Sequence, residues 1–281
     1  MSNVVKYSKS VTLAALLAFG AANQASAANI TFGGQAATDN SGLTSQRIDA
    51  SNVISDPSLG FFVETFDAAT SFPAGASGNT DYNVDNVNGA SEGCQINSPL
   101  MVSPSSAGVV NVRRGSVPNE AAAPAGDTTC YAYTTPANEG VDSFVDIDYT
   151  NFLANLGDID PALAGSRIDY LGFYWGSVDT YNSFEFYAND VLVSSITGPE
   201  LLALQNGDSG NQVDPASNTY VNIDFTFAES FDRLRVVSSG IAGEFDNIVV
   251  GLTQRPVPAP ASLAFLGLGL LGLGLGRRFK K

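Results

Sequence analysis

The sequence predicts an all-β fold, two sheets packed face to face in a jelly-roll-like β-sandwich, and three observations lead there. Apolar and polar residues alternate strictly through Val145-Asp-Ile-Asp-Tyr149 and through Tyr220-Val-Asn-Ile-Asp-Phe-Thr-Phe227. Side chains two apart share a strand face, so each such segment has one apolar and one polar side. Similar short runs recur down the chain between stretches rich in Gly, Pro, Asn and Ser. Helix, by contrast, is confined to one short segment. Strands with a single apolar face need a second sheet to cover it.

In chain order the expected strands are 60–67, 109–113, 130–134, 145–149, 168–175, 183–187, 191–196, 220–227, 231–237 and 244–250. Asn189-Asp190 joins two of them as a tight turn, because both residue types tolerate left-handed backbone. Residues 198–205 (Gly-Pro-Glu-Leu-Leu-Ala-Leu-Gln) place Pro199 where a first helical turn accepts it, and two turns of helix are expected. Loops rich in Gly, Pro and Ser are expected at 68–80, 97–107 and 115–127. No internal repeat is visible, so 28–256 reads as one domain.

Charge excludes several functions. The formal net charge is −15, and between 28 and 256 there are 28 acids against 7 arginines, with no lysine. Nucleic acid is therefore not an expected partner, since phosphate binding needs a cationic face. The chain has no histidine. That removes Ser-His-Asp and Cys-His catalysis and every metal site that uses imidazole.

The two ends read as addresses. Residues 1–27 run from a basic start (Lys6, Lys9) through an apolar stretch to Ala25-Ser26-Ala27, the layout of a secretory signal peptide cut after Ala27. At the other end, 257–281 begin with Val257-Pro258-Ala259-Pro260-Ala261. A Leu/Gly-rich apolar piece follows, and then Arg277-Arg278-Phe279-Lys280-Lys281. The prolines hold the backbone extended for a processing enzyme. The apolar piece of about 15 residues would rise about 22 Å as a helix, short of a roughly 30 Å hydrocarbon core. The basic end stays cytoplasmic by the positive-inside rule. Together these parts suit a temporary membrane tether that is later removed.

This tail resembles the PEP-CTERM sorting signal, the substrate tag of exosortase-type transpeptidases of Gram-negative bacteria, with Ala259 where the family most often has Glu. The block from Tyr170 to Phe186 and the closing stretch from Phe231 to Val250 resemble exosortase-dependent surface proteins. The resemblance implies an extracellular β-sandwich and a chain held transiently at the inner membrane. Delivery to the cell surface or exopolysaccharide matrix would follow. It supplies no catalytic residue.

Four constellations are candidates for chemistry. Cys94 and Cys130, an even count in an exported chain, are expected to form a disulfide. Residues 81–92 space oxygen ligands as a calcium loop does and end on Glu92, but Asn86 stands where the turn glycine belongs. Glu64 and Asp67 at the end of an early strand, with Asp246 on the last, would converge on calcium if those strands are neighbours, a place where jelly rolls often bind it. Trp175 with Asp179, Tyr181 and Asn182 would make an aromatic glycan platform, against the alternative that Trp175 packs between the sheets. Carboxylate pairs are too common here to single one out for glycoside hydrolysis. The expected function is a non-enzymatic, exosortase-processed surface or matrix protein with no cofactor beyond this candidate calcium. The alternative is a carbohydrate-binding module, with a glycan hydrolase ranked below it.

Overall fold

A computed structural model describes residues 28–67, 83–84, 93–95, 101–106 and 108–253. Its strands in chain order are β1 (Asn29–Phe32), β2 (Gln35–Ala36), β3 (Leu43–Thr44), β4 (Phe61–Glu64), β5 (Asn83–Val84), β6 (Met101–Pro104) and β7 (Val110–Arg114). They continue with β8 (Cys130–Thr134), β9 (Ser143–Asp148), β10 (Arg167–Gly176), β11 (Asn182–Ala188) and β12 (Val191–Thr197). The last three are β13 (Thr219–Asp224), β14 (Arg233–Ser238) and β15 (Gly243–Thr253).

The eight strands from β8 onward form the sandwich. Their order is β8-β15-β10-β13 in one sheet and β9-β14-β11-β12 in the other. Successive strands change sheet except at the β11–β12 hairpin, which gives the interlocked Greek keys of a jelly roll. β1 extends the first sheet beyond β13, β7 and β5 extend it beyond β8, and β6 extends the second beyond β9. Among the described residues the strand pairings are antiparallel except β5 with β7.

The alternation in the sequence becomes the two faces of each strand. In β9, Val145 and Ile147 point into the core, while Phe144, Asp146 and Asp148 stay partly exposed. On that outer face Asp146 accepts from Arg235, directly across the strand pair, at 2.7 and 2.8 Å and from the diagonal Arg233 at 3.0 Å. Between the sheets Phe173, Trp175, Phe184 and Phe245 form a continuous aromatic layer, with Phe173 stacked on Phe184 at 4.1 Å.

Local signals set the connections. Asn189 and Asp190 have φ of 48° and 64°, the paired left-handed residues of a type I′ hairpin turn between β11 and β12. A helix spans Gly198–Gln205 as expected, and opens on a capping box between Thr197 and Glu200. Two further short helices, Thr150–Ala154 and Leu156–Ile159, bury Phe152 and Leu156 against the core. They are too short for a helical period to show in sequence.

Cys94 and Cys130 are bonded, with Cα atoms 5.5 Å apart. Their separation of 36 residues corresponds to about 3–4 kcal/mol of stabilisation through loop closure in the unfolded chain. The bridge ties the β5–β6 connection to β8, and there Asp67, just beyond β4, pairs with Cys94 and accepts from the backbone N–H of Cys130 at 3.4 Å.

The last strand carries an irregularity. β15 pairs along one edge with β10 for nearly its whole length. Along the other it pairs first with β8 (Gly243 to Phe245) and then with β4 (Ile248 to Gly251). At this fork Asn247 takes φ 49° and the register against β10 shifts between Gly172 and Tyr174, a β-bulge. Asn accepts the left-handed region more readily than most residues. The bulge puts Phe245 and Ile248 into the core while Asp246, paired with Tyr174, faces outward.

Candidate functional site

The four residues expected to form a glycan platform separate. Trp175 is fully buried in the aromatic layer, 4.7 Å from Phe184. Asn182 is buried as well, donating to the carbonyl of Ala242 at 3.0 Å and accepting from Ser238 Oγ at 2.9 Å. The surface platform on Trp175 is therefore replaced by the core alternative. β10 puts odd-numbered residues Phe173 and Trp175 inward, and burying an indole removes far more apolar area from water than exposing it would.

Asp179 and Tyr181, on the connection from β10 to β11, do line a pocket. This cavity of about 270 Å³ opens at one end of the sandwich, and its wall includes Glu120, Ser177, Asp179, Tyr181, Gln212 and Glu244. Tyr181 Oη lies 2.7 Å from Asp179 Oδ2 and 2.6 Å from the carbonyl of Ile241. Asp179 Oδ1 accepts from Ser209 Oγ at 2.8 Å. Burial pushes the Asp179 carboxyl above its ordinary range. Glu244 forms the floor. One of its oxygens accepts the backbone N–H of Ala122 at 2.8 Å and the other the Ser177 hydroxyl at 2.8 Å. Burial drives its pKa up to about 7 in spite of those donors, and nearby Asp179 adds to the rise. Ser177 itself is held at φ 34° with its N–H on Asn218 Oδ1 at 2.9 Å. Glu244 and Glu120 were not singled out in the sequence, because a chain this acidic offers no contrast by which to choose them.

The carboxylates expected to converge on calcium divide between two faces. β4 and β15 are neighbours, as that expectation required, but Glu64 pairs with the inward-facing Ile248. It accepts from the Phe66 N–H at 2.7 Å and faces the core tyrosine Tyr149, whose pKa it helps to raise. Asp246 is on the opposite face. Glu64 is thus removed from the set: side-chain period two and the bulge at Asn247 place it across the sheet.

Asp67 and Asp246 do share the outer face, joined by Asp127 and Asp39. Asp246 is completely buried, and burial followed by the charge of Asp127 raises its pKa well above the ordinary range. Asp127 is pushed up to about 6, mainly by burial, although the N–H and hydroxyl of Thr129 both donate to it. Asp67 is also raised by burial, with Arg114 3.7 Å away opposing the rise.

The loop from Asp39 to Asn52 closes over this cluster. Asn247 Nδ2 reaches the Ser41 carbonyl at 3.0 Å, Ser41 Oγ at 2.8 Å and the Leu43 carbonyl at 2.9 Å. Asn52 Nδ2 reaches Asp39 Oδ2 at 2.7 Å and Asn247 Oδ1 at 3.2 Å. Ser41 in turn bridges to Asp127.

The calcium-like loop 81–92, the signal segment 1–27 and the sorting motif Val257, Pro258, Ala259, Pro260 and Ala261 lie outside the described residues, apart from the short strand at 83–84. For the C-terminus, comparison with protein families decides the matter: residues 256–281 match the family model described as the PEP-CTERM protein-sorting motif. The chain carries a PEP-CTERM sorting tail. A PEP-CTERM motif implies an exosortase-targeted, exported protein sorted through its C-terminus to the cell surface. Among the described residues no helix is long and apolar enough to cross a membrane. No curated protein and no solved structure matches the chain.

Proposed function

We propose that this PEP-CTERM protein is a non-enzymatic component of the cell surface or extracellular matrix. In this reading the tail tethers it briefly at the inner membrane, exosortase removes the tail, and the jelly roll is delivered outward to the exopolysaccharide layer. The observation that carries the reading is the sorting motif at 256–281. The pocket chemistry supports the non-enzymatic part. Both oxygens of Glu244 and both of Asp179 already accept hydrogen bonds from the protein, which suits carboxylates that hold loops together better than a reacting pair.

Replacing Pro258 and Pro260 together by Ala is expected to leave the tail on the chain and the protein in the membrane fraction. The check is mass spectrometry of the C-terminus alongside cell fractionation. Unchanged processing and location in the double variant would remove exosortase sorting from the account.

A second reading is favoured by the pocket itself. A polar cavity with a tyrosine ring in its wall and several fixed oxygens is the format in which β-sandwiches hold sugars, with apolar C–H faces on the ring and hydroxyls on the polar groups. On this reading the protein binds matrix glycan at the Tyr181 end of the sandwich. Tyr181→Ala is then expected to abolish glycan-array binding that the wild type shows, and full retention of that binding would place any glycan site elsewhere.

A further inference from the structure

We propose that Asp246 and Asp127 form a calcium site at the fork of β15, closed by the loop that runs from Asp39 to Asn52. The proposal begins with unmatched acceptors. Asp246 Oδ1, Asp246 Oδ2 and Asp127 Oδ2 are all buried, and none has a hydrogen-bond partner in good geometry. Asp246 is fully inaccessible, and the two carboxyl groups are close enough to interact directly as well as through their charges. Buried carboxylates without donors cost several kcal/mol each, a cost a bound cation removes. The backbone N–H of Asn247 approaches Asp246 and opposes the rise in its pKa, while the nearby side-chain donors are directed elsewhere. The Asn52 amide donates to Asp39, Ser41 and Asn247 Oδ1, the Asn247 amide donates to Ser41 and Leu43, and the donors of Thr129 go to the other Asp127 oxygen. The Tyr174 hydroxyl donates to the Ala125 carbonyl.

The surrounding charges agree with this assignment. Asp39 and Asp67 face the pair and add negative potential, partly offset by Arg114 beside Asp67. Among the described residues no group of three acidic side chains is close enough to hold a metal alone. The coordination would therefore combine two carboxylates with neutral oxygens. That mixture suits calcium, which accepts six to eight carboxylate, carbonyl and water oxygens in flexible geometry. Zinc is disfavoured by ligand type, since the chain has no histidine and both cysteines are in the disulfide. Asp127 also lines a surface cavity of about 470 Å³, which gives an ion a route to the pair.

In fold terms the site would clamp the N-terminal segment onto the point where β15 exchanges β8 for β4. The proposal is independent of the pocket around Glu244 and of the tail. Its test uses the exported protein, stripped with chelator and titrated with Ca²⁺ by calorimetry and in thermal melts. The expected result is one Ca²⁺ per chain and a Tm raised by about 5–10 °C. Asp246→Asn and Asp127→Asn are each expected to lose both effects, while Glu64→Gln retains them. Asp127 lies on a loop, so Asp127→Asn keeps the test decisive if Asp246→Asn fails to fold. Three outcomes would overturn the proposal. These are no heat and no Tm change at millimolar Ca²⁺, which leaves a shared proton as what neutralises the pair; undiminished Ca²⁺ binding in both Asn variants; and equal stabilisation by Mg²⁺.

Discussion

Trp175→Ala is expected to destabilise the domain by about 3–5 kcal/mol, measured by chemical denaturation, with the lost fluorescence replaced by far-UV circular dichroism as the probe. The indole is wholly enclosed by Phe173, Phe184 and their neighbours, so truncation removes its burial energy and leaves a cavity that rigid strands on both sides fill poorly. Trp175→Phe keeps most of the volume and should recover the larger part of the loss. The consequence for function is direct. A glycan-binding defect in Trp175→Ala would report unfolding, whereas the same defect in Tyr181→Ala would report the pocket. A change under about 1 kcal/mol for Trp175→Ala would mean that the aromatic layer is not packed as described.

The second large effect is a pH dependence set by Glu244. Its folded pKa of about 7 lies above the ordinary 4.5, so between those values the folded state holds a proton that the unfolded state has released. Stability is then full below about pH 4.5, falls as pH rises through that window, and levels off above about pH 7. The window is worth about 3 kcal/mol at roughly 1.4 kcal/mol per pH decade. Glu244→Gln imitates the protonated side chain. It is expected to match the wild type near pH 5 and to exceed its stability by a comparable amount near pH 8. Asp127 and Asp246 are present in both proteins, so the difference between the two pH profiles reports Glu244 together with its coupling to Asp179. Parallel profiles would show that Glu244 is already ionised in the folded protein at pH 5, with its donors outweighing burial.

Much of the fold was legible because strands leave a period-two record. The strand 130–134 coincides with β8, and the expected strands at 168–175, 183–187 and 191–196 coincide with β10, β11 and β12 to within a residue or two at each end. The Asn189-Asp190 turn and the helix at 198–205 were legible for a different reason: both rest on local backbone chemistry that needs no tertiary partner. β1 was missed because Asn29–Phe32 is only half-buried at the sheet edge and makes a weak pattern. β2, β3 and β5 are two residues each and too short for any period to appear.

The candidate sites were less legible, and particular residues show why. The structure places Asp67 near Asp246, whereas Glu64, expected beside them, lies across the sheet. The bulge at Asn247 that fixes the outward direction of Asp246 is a property of the pairing with β10 and the fork between β8 and β4. Asp127 joins the cluster through its bridge to Ser41, a partner 86 positions away by residue number. Trp175 and Tyr181 are six positions apart, but one faces the sheet interior and the other a surface pocket, because β10 ends between them at Gly176.

The sequence by itself determined the all-β class, the disulfide partners and the sorting address at 256–281, since alternation, cysteine count and a contiguous tail are all written along one stretch of chain. Only the tertiary structure decided which carboxylates share a face and which aromatic ring meets solvent. Those outcomes depend on register and on strand neighbours far apart in the chain, and a single bulged residue is enough to reverse them.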